Sequence, residues 1–156
     1  MFVYTMKASG VKFFVIIALS VVVLTSAISI LPAVSAASDV ASVNTDFKNI
    51  ANEEDMVKFL SNFGHEVEPK ATNIYEIEIP EEFNSVFEKY NDIQRAQGLN
   101  LKRYIGKDAT AYVFKVINYD FEGEVLATLF IRNGRVIAGD ICSTEGDGFV
   151  HGFRIP

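Results

Sequence analysis

The chain has 156 residues, 49% of them hydrophobic, with 14 basic and 20 acidic residues and a single cysteine. That length suits one domain with a real core, and one cysteine excludes an intramolecular disulfide. The acidic balance, with no lysine/arginine stripe interleaved with aromatics, argues against nucleic acid as a partner.

The N-terminal stretch carries Lys7 and Lys12, then the apolar run FFVIIALSVVVLTSAISIL from Phe13 to Leu31, then Pro32 and AVSAAS. A charged start, an apolar middle and a small-residue V-S-A ending at Ala36 are the parts of a secretory signal peptide, so residues 1–36 are expected to be a leader cleaved before Ala37. The alternative is an uncleaved anchor, because residues 13–31 fall within the roughly 17 to 25 needed to cross a bilayer. Either way the rest of the chain is expected outside the cytoplasmic membrane, with no leader cysteine to carry a lipid. Removing the two leader lysines from the chain's 14 basic residues leaves 12 against 20 acidic, a net charge of −8 for the exported part.

Residues 37–51 are small and polar and predict a flexible spacer before one domain over 52–156. Asn52 is a helix cap, followed by Glu53, Glu54 and Asp55 where the helix dipole favours acids, with Met56, Val57, Leu60 and Phe63 at helical spacing and Gly64 as the stop. In TNIYEIEIP, Tyr75, Ile77 and Ile79 alternate with Glu76 and Glu78, predicting a half-buried strand that Pro80 ends. A second helix is expected to open at Glu81 and Glu82, to place Phe83, Val86, Phe87, Tyr90 and Ile93 on one face, and to stop at Gly98. Tyr90, Asn91, Gln94 and Gln97 form a polar and aromatic face on it that is either solvated or binds a partner.

From Thr110 the text is β-branched and aromatic, and Asn133-Gly134 predicts a type I′ hairpin turn. Counting outward pairs Arg132 with Arg135, Ile131 with Val136, Leu129 with Ala138, Ala127 with Asp140 and Val125 with Cys142. That register puts Asp140 among apolar residues, where a carboxylate must be paired, hydrogen-bonded or protonated. The order of elements predicts an α+β fold: a mainly antiparallel sheet of about four strands with two helices packed on one face.

The runs EIPEEFNSVFEKYNDIQRAQGLNLKRYIGK, RNGRVIAGDICS and DGFVHGF resemble a family of small exported bacterial proteins known as domain of unknown function 4830, over about Asn52 to Phe153. The resemblance implies a Gram-positive exported domain and brings no activity or cofactor.

Chemistry has few carriers. Asp140, Asp147 and His151, with Gly146, Gly148 and Gly152 beside them, are the residues for a hydrolytic or metal site, but their spacing matches no signature with a mechanism. The alternative is a clasp, in which Phe149 and Phe153 tuck into the core, Asp147-Gly148 turns and His151 bonds a carbonyl. Cys142 has no histidine near it in sequence, Ser143 lacks a nucleophile elbow, and NEED and IPEE lack calcium-loop spacing. The expected function is a non-enzymatic module that binds a protein, peptide or envelope component through its sheet or the Tyr90–Gln97 face. The alternative is a small hydrolase or metal-dependent enzyme using Asp140, Asp147 and His151.

Overall fold

A computed structural model describes residues 47–146 and 148–155; the leader expected over residues 1–36, residues 37–46, Asp147 and Pro156 lie outside the described residues. Helix α1 (Glu53–Ser61) is capped reciprocally: Asn52 Oδ1 accepts from the Asp55 amide at 3.0 Å, and the Asp55 carboxylate accepts from the Ala51 amide at 2.9 Å. It buries Met56, Phe59 and Leu60. Strand β1 (Asn73–Glu78) follows, then α2 (Ser85–Ala96), a 3-10 turn over Leu101–Tyr104, and strands β2 (Asp108–Val116), β3 (Val125–Arg132), β4 (Arg135–Ser143) and β5 (Val150–His151). Helix α2 starts at Ser85 rather than Glu81 because Asn84 Oδ1 accepts from the Val86 and Phe87 amides, each at 3.0 Å.

The sheet is antiparallel throughout in the order β1-β2-β3-β4-β5. It has one strand more than the four expected, because the two-residue β5 near the C-terminus pairs His151 with Ile141 and Val150 with Cys142. The fold is the α+β arrangement of two helices and an antiparallel sheet that the order of elements implies.

The helices do not share a face. β2 runs without a bulge, so Ala109 and Ala111 point one way and Phe114 and Val116 the other. Phe114 and Val116 join the core of α1 with Met56, Phe59, Leu60 and Phe153, whereas Ala109 and Ala111 join Ile77, Ile79, Tyr90 and Leu101. The sheet is therefore covered by α1 on one side and by α2 with the 3-10 turn on the other. α2 buries Tyr90, Asn91 and Gln94, while Phe83, Val86, Phe87 and Ile93 are only half-buried.

The turn is as expected: Asn133 and Gly134 have φ of 48° and 67°, and Arg132 faces Arg135. Beyond Ile131 and Val136 the register slips by one at a bulge. Phe130 faces Ala138, Leu129 faces Gly139, Thr128 faces Asp140, Ala127 faces Ile141 and Leu126 faces Cys142. One extra residue in β4 turns every later side chain to the opposite face from the one that counting gives.

The outer edge of β4 is completed piecewise. Val136 N–H donates to the Phe47 carbonyl and Ile50 N–H to the Gly134 carbonyl, at 2.9 and 3.0 Å, and Ile50 is buried. Phe47 and Ile50, within the stretch read as spacer, are thus bonded to the sheet. Farther along, Gly139 bonds to side chains of α2, and β5 takes the end of the strand. Replacing Gly134 by Val forces a β-branched residue into positive φ and is expected to lower stability by about 1–3 kcal/mol in urea melts.

Candidate functional site

Asp140 lies on the α2 side of the sheet, opposite to the side that simple counting gives. The Tyr90 hydroxyl donates to Asp140 Oδ2 at 2.5 Å, and the Cys142 thiol, two residues along the same strand face, donates to the same carboxylate. The carboxylate is buried with no cation against it among the described residues, so desolvation pushes its pKa up to about 6 despite those two donors. Burial also raises the Tyr90 hydroxyl well above its ordinary value and pushes up the Cys142 thiol, in each case with the Asp140 charge adding to the shift. Cys142 is a free, half-buried thiol.

The polar face of α2 is spent within the chain. Asn91 Oδ1 accepts from the Leu101 amide at 2.8 Å and so holds the 3-10 turn. Gln94 Oε1 accepts from the Gly139 amide at 2.9 Å, and Gln97 Nε2 donates to the Gly139 carbonyl at 2.8 Å. Gln97 Oε1 then accepts from the Phe153 amide at 2.8 Å. Tyr90, Asn91 and Gln94 are at most 3% exposed, so these residues face the sheet and its edge rather than solvent.

His151 lies on the other side of the sheet, because it pairs with Ile141, one residue beyond Asp140. The sheet separates Asp140 from His151, and Asp147 is outside the described residues. Among the described residues no group of three or more His, Cys, Asp or Glu could hold a metal ion.

What gathers around His151 is aromatic. Its Nδ1 is 2.6 Å from the Gly152 carbonyl, which only accepts, so the proton sits there and Nε2 accepts from the Tyr119 hydroxyl at 2.7 Å. Phe149 stacks on Tyr119 at 4.9 Å and on His151 at 5.2 Å, and Phe121 meets Phe149 edge-on at 5.3 Å. The second histidine, His65, stacks over Tyr119 at 6.2 Å and bonds the Phe153 carbonyl through Nε2 at 2.6 Å. Phe153 is fully buried against Phe59 and Phe63. His65 and Tyr119 carry no spacing signal that ties them to residue 151; the sole cue is that the chain has only two histidines.

Fold and site together define a small α+β domain whose C-terminus is clasped onto a sheet, with no assembled set of catalytic groups among the described residues. The chain belongs to the family of domain of unknown function DUF4830, whose model matches residues 59–141. The match spans the chain from α1 to β4 and stops short of the β5 clasp. No curated protein and no solved structure matches the chain.

Asp140 gives a pH signature. Its folded pKa is raised from 3.8 to about 6, so the folded state holds the proton more tightly and the associated stability is present below pH 3.8 and lost as pH rises through 6. Asp140→Asn keeps an acceptor for Tyr90 and removes the titration. The difference in unfolding free energy between variant and wild type is expected to move in the variant's favour by about 2 kcal/mol from pH 4 to pH 7. A difference that stays flat across that range contradicts a buried, cation-free Asp140.

Proposed function

We propose that this protein is an exported, non-enzymatic binding module that works outside the cytoplasmic membrane and contacts a protein, peptide or envelope component through the loop end of its sheet. The leader read over residues 1–36 supports export, with anchoring through residues 13–31 as the alternative to cleavage. The family resemblance supports a Gram-positive envelope as the setting.

The observation that carries the reading is the half-exposed aromatic group Tyr119, Phe121, Phe149 and His151, contributed by the β2–β3 loop and the β4–β5 segment. Aromatic surface left at the end of a rigid sheet is what recognition sites are made of, since rings bring large contact area with few rotamers to freeze. The same β2–β3 loop exposes Ile117 at 60% and carries the exposed Asp120, Glu122 and Glu124. The α2 face offers less, because Tyr90, Asn91, Gln94 and Gln97 are engaged inside the fold. The hydrolase or metal alternative finds no support, since Asp140 and His151 lie on opposite faces.

Co-sedimentation of the full chain with isolated bacterial envelopes tests the proposal. Wild type is expected to be retained, and Phe121→Ser, at a half-buried ring on the rim of the group, to weaken retention about tenfold while circular dichroism shows the fold kept. Wild type left wholly in the supernatant, or equal retention of the variant, contradicts this surface.

A further inference from the structure

We propose that residues 149–153 form an acid-released latch: protonation of His65 and His151 frees this segment from α1 and β4 while the sheet and its α2 side stay folded. The inference does not rest on the binding reading above.

The latch is held by few bonds, and the histidines make two of them, His65 to the Phe153 carbonyl and His151 to the Tyr119 hydroxyl. β5 contributes only two paired residues, and beyond it the chain is fixed by the Gln97 bond to the Phe153 amide, the His65 bond to the Phe153 carbonyl and the burial of the Phe153 ring. His65 is 1% exposed, and its proton sits on Nε2 because that nitrogen faces a carbonyl. Its Nδ1 is buried and has no hydrogen-bond partner among the described residues. Protonation therefore creates a buried N–H with no acceptor, and a buried charge that the Phe153 carbonyl offsets only in part.

His151 repeats the problem next door, since its Nε2 is already used to accept from Tyr119. Burial lowers both histidines, and each protonated ring makes the other harder to charge, an effect seen at His151. The carbonyls of Phe153, Gly152 and Arg154 pull the other way and are outweighed. Among the charged groups on the neighbouring elements are Glu66 and Glu68 beside His65, Lys115, Asp120, Glu122 and Glu124 on β2 and its loop, Glu145 before β5, and Arg154 after it. No carboxylate among the described residues acts on either imidazole.

The linkage has a definite sign. With folded values below 6.5, the open segment takes protons first as pH falls, so the latch is shut above that value and loosens below it. Asp140 runs in the opposite direction on the other face: acid neutralises it and strengthens the α2 side. Acid therefore loosens one face of the sheet while it tightens the other, which makes local release rather than global unfolding the outcome. Release uncovers Phe59 and Phe63, against which Phe153 packs.

Backbone hydrogen exchange on the full chain at pH 7.5 and 5.0, corrected for intrinsic rates, reads the opening directly. The opening constant of residues 150–153 is expected to rise at least about tenfold at the lower pH, one unit of protonation linkage, while the β3 amides stay protected. In the double variant His65→Gln/His151→Gln, which keeps amide donors and cannot titrate, the rise is expected to vanish. A wild-type rise below twofold, an equal rise in the double variant, or loss of β3 protection in step with the latch overturns the proposal. Should the double variant not fold, nuclear magnetic resonance titration of the wild-type imidazoles decides: both must titrate below 6.5 in step with the exchange, and titration at or above that value overturns it.

Discussion

The outer edge of β4 is the constraint around which the molecule is arranged. A strand edge buried without partners leaves amides and carbonyls unsatisfied, and a long exposed one invites other chains. Here no single strand closes it. Phe47 and Ile50 bond the start, the side-chain amides of Gln94 and Gln97 take the N–H and C=O of Gly139, and β5 covers Ile141 to Ser143. Three pieces far apart in sequence meet along one strand, so the N-terminal arm, α2 and the C-terminus are each held by the same β4 backbone.

Gly139 is the hinge of this arrangement. Its N–H and C=O turn outward to the glutamines, and a Cβ there would be driven into the Phe153 ring and the Thr128 carbonyl. Gln97 links the two sides, donating to the Gly139 carbonyl and accepting from the Phe153 amide. The α2 helix therefore spends its polar face on a sheet edge and its tyrosine on Asp140, which explains why its half-exposed side carries Val86, Phe87 and Ile93. The two faces of the sheet respond to protons in opposite senses, one through a buried carboxylate and the other through two histidines.

Local rules made the elements legible. The Asn52 cap, the alternation around Glu76 and the Asn133-Gly134 turn act over a few residues, and each leaves a mark in the sequence. What is decided over longer range is not written there. The bulge that moves Asp140 to the α2 side is one residue within a run of apolar residues that fits either register. YNDIQRAQG reads as a polar surface because nothing in a helix's own sequence says that a strand edge waits for its amides. GDGFVHGF is a clasp at His151 and Phe153, yet the histidine that completes it, His65, is 86 positions away. The family match supplies membership without chemistry.

The claim that the β4 edge at Gly139 closes the fold is tested most directly by urea melts of Gly139→Ala, followed by tyrosine fluorescence and far-ultraviolet circular dichroism. The added methyl group has to displace Phe153 or the neighbouring strand, so the account predicts a loss of about 1–3 kcal/mol, together with faster amide exchange at Phe153. An unchanged midpoint, with Phe153 as protected as in wild type, would contradict it.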